Sequence, residues 1–204
     1  MKNRALFLGI GLLALGACST AHSGMFDYGK PKLVDSNGKV PTWVDSPGRY
    51  ARDHTDRKYF VGVDSRCTLY DVCRDVSRGN AIKTAAEAIR DKVHSLLEVA
   101  STDDSNLGTP DVERAIESGT LQTAYGVLHG ASADRYFWQK FEVQNGPYER
   151  IQYYRNVYAL VSMSNEDWKA SVYETLTKRS AKVHDPRARA LLKKMEDRWL
   201  NNKH

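Results

Sequence analysis

Three cysteines carry the side chains best suited to covalent chemistry in this sequence. Cys18 directly follows an apolar N-terminal run, where a thiol could be joined to a lipid. Cys67 and Cys73 have five residues between them, a spacing that can close a loop across a strand-to-helix corner if the Cα atoms come within about 7 Å. A redox-active pair more typically has the Cys-x-x-Cys spacing, and a zinc site would need two further ligands. A disulfide or two buried thiols are therefore the main alternatives.

The first 17 residues have the pattern of a cleaved signal. Lys2 and Arg4 precede an apolar run over residues 5–15. At about 1.5 Å per residue this run is too short to cross a hydrocarbon core of about 30 Å, and its length is typical of a secretory h-region. It ends in Leu15-Gly16-Ala17-Cys18, which is similar to the bacterial lipobox. We therefore predict a lipoprotein signal peptide over residues 1–17 and lipidation of Cys18. The alternative is an ordinary secreted protein with a cysteine near its cleavage site.

Lipidation of Cys18 would determine the cellular location of the protein. Several acyl chains, at about 0.8 kcal/mol per buried methylene, give stable membrane anchoring. Ser19 follows the cysteine where an inner-membrane lipoprotein would have Asp, so we expect the outer membrane, with the protein facing the periplasm. In that oxidising compartment Cys67 and Cys73 most simply form a disulfide.

Length and composition favour one globular domain. The chain has 204 residues, of which 41% are hydrophobic and 27% charged, and this excludes a disulfide-stapled miniprotein and a disordered chain. The single long apolar run lies at the N-terminus, so a polytopic membrane protein is excluded. Loss of the signal, with its two basic residues, lowers the formal net charge from +5 to +3.

The mature chain divides into three predicted parts. Residues 18–56 are polar and rich in Gly and Pro, which predicts a lipidated tether; Trp43 is its exception and is expected to pack on the domain edge. Residues 57–180 are predicted to form an α+β domain. Residues 181–204 are predicted to form a basic C-terminal helix.

Hydrophobic periodicity predicts the elements of the domain. Residues 59–64 are typical of a first strand, and residues 69–100 of a long helix whose buried stripe includes Val72 and Val76. Thr109 and Pro110 are typical of an N-cap and first helical residue, and they open a predicted second helix that runs through Val112 to Leu128. Residues 136–144 and 151–163 predict a hairpin, with Arg155 as the one anomaly on the apolar face. The fold class is therefore α+β, a mixed sheet of about three strands with helices on one face.

No catalytic constellation is evident, so we expect no enzyme, cofactor or metal. No two of the six histidines have metal-ligand spacing on one helix, and the sequence contains no nucleophile elbow, phosphate loop or dinucleotide fingerprint. His94 is best interpreted as structural. Asp103-Asp104 could bind a cation but is more often a solvated turn. Arg155 is expected to reach an edge or a carboxylate rather than a substrate.

Positive charge is concentrated at the C-terminus, where residues 178–204 contain nine Lys or Arg and three Asp or Glu. A periplasmic address makes nucleic acid an unsuitable partner, whereas phosphorylated head groups, peptidoglycan or an acidic protein surface are chemically reasonable. The alternative is a solvated helix face. The apolar residues of the same helix must be buried on this domain or on a neighbour. The residues assigned to partner binding are Arg187, Arg189, Lys193, Lys194 and Arg198.

A family resemblance rests on the early Pro41-Thr42-Trp43-Val44, the Gly-containing strand at 59–63, the Arg/Ala-rich helix at 78–89 and the aromatic strand at 153–161. Over about residues 41–180 this pattern resembles the small lipoproteins grouped with the flagellar outer-membrane lipoprotein FlgP, and the N-terminal domain of the periplasmic flagellar protein FlgT. The resemblance implies a non-catalytic α/β building block of rings or a regulator at the outer membrane.

The expected function is thus a structural or assembly subunit of an envelope-spanning machine, such as flagellar outer rings or a disk, or a secretion-system outer-membrane core. Its expected partners are membrane lipid through Cys18 and protein subunits, including further copies of itself. The alternative is a lipoprotein that binds peptidoglycan or regulates a peptidoglycan synthase.

Overall fold

The computed structural model describes residues 27–103, 109–128 and 130–201, and Cys18 lies outside them. The described strands are β1 Lys32–Ser36, β2 Arg57–Cys67, β3 Ser132–Val143 and β4 Gln152–Ser164. The described helices are α1 Thr42–Asp45, α2 Pro47–Asp53, α3 Tyr70–Thr102, α4 Pro110–Glu117, α5 Thr120–Gly126, α6 Asn165–Lys182 and α7 Pro186–Asn201. The α+β class is confirmed.

The sheet has four strands in the order β1-β3-β4-β2, and every neighbouring pair is antiparallel. The prediction of about three strands in a mixed sheet is therefore wrong. The extra strand, β1, lies in the segment predicted as a tether. Four of its five residues are exposed, so it lacks the alternation of apolar and polar residues by which a half-buried strand is detected.

The segment before residue 57 is folded over much of its described length. Gly29 donates its N–H to the Gln144 carbonyl at 2.8 Å, and β1, α1 and α2 follow. Trp43 is only 2% exposed and packs with Phe137 and Leu160, on the sheet face opposite α3. Helical segments thus cover both sheet faces, and the prediction of helices on one face is wrong. The sequence does not indicate α1 and α2 because both helices are too short to show a helical period of apolar residues.

Small residues bring α3 unusually close to β2. A β-carbon built on Gly62 would lie 2.1 Å from the Ala81 backbone nitrogen and 2.2 Å from the Ser77 carbonyl oxygen. Ser77 and Ala81 are fully buried on the side of α3 that faces the sheet. The helix backbone therefore rests directly on the strand, which requires glycine at position 62.

The largest core lies among the helices. It joins the C-terminal half of α3 to α4, α5, α6 and α7. Leu191, Leu192 and Met195 of α7 are fully buried in this core, so α7 packs on its own domain. Gly119, at φ +77°, divides the single helix predicted after Thr109 into α4 and α5. None of the helices in the described ranges is both long and apolar enough to cross a membrane.

Candidate functional site

The Cys67–Cys73 pair lies where β2 turns into α3. The two sulfur atoms are at bonding distance, 2.08 Å, and the Cα atoms are 6.1 Å apart, as the predicted disulfide requires. Arg66, the preceding residue, has φ +58° and donates its backbone N–H to Asn156 Oδ1 at 3.1 Å. The register also shifts between Asp64 and Cys67. The disulfide therefore closes a sharply turned corner.

Asp64 lies close enough to this pair that the three residues could in principle share a metal ion. A metal is bound by thiolates, however, and sulfurs joined to each other carry no thiolate charge. In the oxidised state this corner is a structural link rather than a metal centre.

Beside the disulfide, α3 exposes an apolar ridge. Leu69, Val72 and Val76 are 68%, 56% and 43% exposed; we call these three residues the edge ridge. Val72 and Val76 lie four positions apart, so their side chains share one side of α3, and Leu69 is the residue immediately before the helix. The prediction that Val72 and Val76 are buried is wrong. The close approach at Gly62 gives the sheet-facing positions to Cys73, Ser77 and Ala81, which turns the valines outward.

The edge ridge faces away from the centre of the sheet. On the opposite side of α3, the Tyr70 ring contacts Trp138 of β3 edge to face, with ring centroids 6.5 Å apart. Arg74 lies over the Tyr136 ring, also of β3, at 4.6 Å. Asn80, one turn after Val76, donates to the Val63 carbonyl of β2 at 2.8 Å. The ridge therefore flanks β2, the outermost strand on that side.

The outer edge of β2 has no strand partner among the described residues. The strand is eleven residues long, and a long unpaired edge is a template for pairing with another chain. The edge ridge and β2 together thus offer both kinds of contact that a protein partner uses, apolar side chains and backbone hydrogen bonds. In the sequence, the small residues Cys73, Ser77 and Ala81 recur every four positions alongside Val72 and Val76. This spacing of small residues is the signal that they, and not the valines, face the sheet.

The predicted basic partner-binding set divides into two groups. Arg189 donates to the Val183 carbonyl at 3.0 Å, Lys194 donates to the Ala100 carbonyl at 3.3 Å, and Arg198 pairs with Asp103. Arg189 thus holds the turn before α7, and Lys194 and Arg198 hold α7 to the C-terminal end of α3. Arg187 and Lys193 are exposed, and their side chains make no hydrogen bond or ion pair to the described part of the chain.

A basic cleft that sequence reasoning missed lies where the start of β2 meets α3, α6 and α7. It has a volume of about 480 Å³ and contains two indoles and three ammonium groups but no carboxylate. Lys92 lies 5.4 Å from the Trp199 ring centroid, and the Trp199 indole donates to the Lys169 carbonyl at 3.2 Å. The lining residues of this tryptophan cleft are Thr55, Lys58, Lys92, Asn165, Trp168, Lys169 and Trp199. They come from distant parts of the sequence, so no local motif reveals them.

His94, Asp103 and Arg155, three other candidates in the sequence, each contact other side chains of the domain. His94 is half exposed and contacts two carboxylates, Glu117 at 2.8 Å and Glu98 at 3.4 Å. Asp103 pairs with Arg198, and Asp104 lies outside the described residues. Arg155 lies over the Trp138 ring at 5.7 Å rather than against a carboxylate.

No family model, curated protein or solved structure matches the chain.

Proposed function

We propose that this chain is a non-enzymatic outer-membrane lipoprotein that serves as a structural or assembly subunit of an envelope-spanning complex. Cys18 anchors it, and its α+β domain contacts neighbouring subunits in the periplasm. The signal pattern over residues 1–17 supports the anchor. The disulfide at Cys67 and Cys73 suits an oxidising compartment. Flagellar outer rings or a disk, and a secretion-system outer-membrane core, are complexes of this type.

The observation that carries the proposal is the edge ridge beside the open strand β2. Burying a Val or Leu side chain contributes roughly 1.5–3 kcal/mol, so covering the ridge supplies a large share of the free energy of a subunit contact. A strand of the partner can also pair with β2, which fixes the register of the contact. The close packing of α3 on Gly62 fixes the position of the edge ridge relative to β2.

A matched pair of variants on α3 tests this contact. Val72→Glu combined with Val76→Glu places two charges in the proposed interface, whereas Val99→Glu places one on an equally exposed valine, 53% accessible, at the other end of the same helix. We expect wild type and Val99→Glu to migrate as one large species when native membranes are solubilised and separated under native conditions. The ridge variant should migrate as a free subunit with an unchanged Tm.

Two results would refute the assembly role. One is an unchanged large species in the ridge variant; the other is a wild-type protein that migrates as a lone subunit from the start. Loss of the large species in Val99→Glu as well would assign the effect to charge on α3 in general and not to the ridge.

A second function, peptidoglycan binding, is favoured by the tryptophan cleft. The partly exposed Trp168 indole can stack on a sugar ring, and Lys58, Lys92 and Lys169 can pair with the carboxylates of a glycan or its peptide stems. Purified sacculi should pull down the wild-type protein, and Lys92→Gln with Lys169→Gln should reduce this several-fold. Lys182→Gln, an exposed lysine outside the cleft, is the control. Equal pull-down of all three proteins would remove this function.

A further inference from the structure

The turn between β3 and β4 exposes aromatic and aliphatic side chains at the end of the sheet; we call residues 144–151 the tip loop. Tyr148 is 100% exposed, and Ile151 is also exposed. The loop is nonetheless ordered, because the Gln144 side chain donates to the Glu149 carbonyl at 3.0 Å and the Glu149 N–H donates to the Gly146 carbonyl at 3.1 Å. These hydrogen bonds fix the backbone of the loop that carries Tyr148 and Ile151.

The start of the described chain is attached to this same loop. The Gly29 N–H donates to the Gln144 carbonyl at 2.8 Å, and the preceding residue, Tyr28, is exposed there. Only the residues between Cys18 and Asp27 separate the proposed lipid from this point. At no more than about 3.6 Å per residue, they reach about 30 Å when fully extended.

The other end of the sheet is much farther from the anchor. β4 runs from Gln152, at the tip loop, to Ser164. At about 3.3 Å per residue its two ends are about 40 Å apart. A lipid on Cys18 therefore keeps the tip loop within about 30 Å of the membrane, whereas the start of α6 and the end of β4 can lie about 40 Å farther away.

The chemistry of the tip suits the head-group region of a bilayer. Tyrosine is favoured there, since its ring is apolar and its hydroxyl remains hydrated. Most of the nearby charges cancel: Lys30 pairs with Asp27 at 3.0 Å, Lys32 pairs with Glu142 at 3.3 Å, and the loop adds Glu149 and Arg150. Arg66, which lines a groove with Gly29 and Asn145, leaves a small positive excess. Insertion of aromatic side chains, rather than attraction of a basic patch to anionic lipid, is the contact that this surface can make.

From this arrangement we propose that the tip loop docks on the phospholipid surface that holds the anchor, with Tyr148, Ile151 and Tyr28 in the head-group region. The inference rests on the proposed lipidation of Cys18. Docking gives the domain one orientation. The edge ridge, which begins near Cys67 and its register partner Arg155, then faces sideways near the membrane, toward neighbours in the same leaflet. The tryptophan cleft, beside Asn165, faces away from the membrane.

Quenching by labelled lipids tests the orientation in the full-length, membrane-extracted protein. Tyr148→Cys places a thiol at the tip, and Glu166→Cys places one at the far end of β4. With Cys18 acylated and Cys67 bonded to Cys73, the new thiol is the single site for a fluorophore. The labelled protein is reconstituted into vesicles of phosphatidylethanolamine and phosphatidylglycerol that carry a nitroxide near the head group.

We expect both proteins to float with the vesicles and the label at 148 to be quenched at least three-fold more than the label at 166. Equal quenching, or none at either position, in protein that floats would overturn the docking of the tip while leaving the anchor intact. Failure of both proteins to float would instead overturn the lipid anchor, and the docking inference with it. A floating protein in which Tyr148→Ser with Ile151→Ser leaves quenching at a label on Tyr28→Cys unchanged would also contradict insertion of the loop.

Discussion

Gly62 of β2 and Ala81 of α3 are in backbone contact: a β-carbon at position 62 would lie 2.1 Å from the Ala81 nitrogen. This contact determines which residues of α3 face the sheet, and hence why Val72 and Val76 face outward. The exposed edge ridge thus depends on one glycine that is not itself part of the ridge.

Replacing Gly62 with alanine should strongly destabilise the domain. Both atoms nearest the new methyl group belong to backbone, so helix and strand must separate, at a cost of roughly 3 kcal/mol or more. Urea denaturation measures the change. Gly79→Ala is the control, because nothing lies within 4 Å of its new β-carbon and alanine in a helix is favoured by about 0.5–1 kcal/mol. Similar stability of the two variants would contradict the close packing.

Opening the disulfide should lower stability moderately without unfolding the domain. A loop as short as that between Cys67 and Cys73 loses about 2 kcal/mol of chain-entropy stabilisation when it is opened. The Cys67→Ser, Cys73→Ser protein should therefore have a lower Tm than the oxidised wild type and the same Tm as the reduced wild type. If mass spectrometry of the non-reduced protein found two free thiols, the disulfide would be ruled out.

Glu196 should make the domain less stable as the pH rises. Burial raises the pKa of its carboxyl, with Lys193 acting in the opposite direction, and its Oε1 is buried without a hydrogen-bond partner among the described residues. Between the ordinary carboxyl pKa and the raised one, the folded state holds more protons than the unfolded state, so stability falls as pH rises through this window.

Glu196→Gln should therefore raise the Tm at pH 7 and have little effect at pH 4. Thermal unfolding across that range is the measurement, with Glu149→Gln as an exposed control. A Glu196→Gln protein that is less stable than wild type at pH 7 would show that the ionised carboxylate is stabilised instead.

The packing of α7 makes it part of the domain rather than a separable basic arm. Leu192→Ala removes a fully buried side chain and should cost roughly 2–4 kcal/mol. Arg187→Ala, at an exposed position of the same helix, should change stability by less than about 0.5 kcal/mol. Chemical denaturation of the two variants compares them. A neutral Leu192→Ala would mean that α7 does not pack on the helical core.

The sequence alone predicts an element correctly where its buried residues recur with a clear helical or alternating period. The long helix α3 and the strand β4 have strong helical and alternating patterns, and both lie within two residues of their predicted bounds. The exposed strand β1 has no such pattern, so its composition predicts a tether instead. The N-cap at Thr109, which accepts a hydrogen bond from the Val112 N–H at 3.4 Å, is predictable because capping is local.

The interaction surfaces can be predicted only in part, because they depend on tertiary packing. The cysteine pair is evident from its spacing. The exposure of Val72 depends on Gly62 lying under Ala81, which no local pattern shows. The tryptophan cleft joins Lys58 to Trp199 across most of the chain. Three of the five basic residues assigned to a partner, Arg189, Lys194 and Arg198, contact α3 or the turn before α7 instead.

Site-specific photocrosslinking in growing cells tests the central claim, that the edge ridge is a subunit contact. A photoreactive amino acid is placed at Val72 in one protein and at Val99 in another, with the lipid anchor and disulfide retained. We predict that the probe at 72 forms one discrete adduct with an envelope protein or with a second copy of this chain, and that the probe at 99 forms none. No adduct at 72, or the same adducts at both positions, would contradict the account.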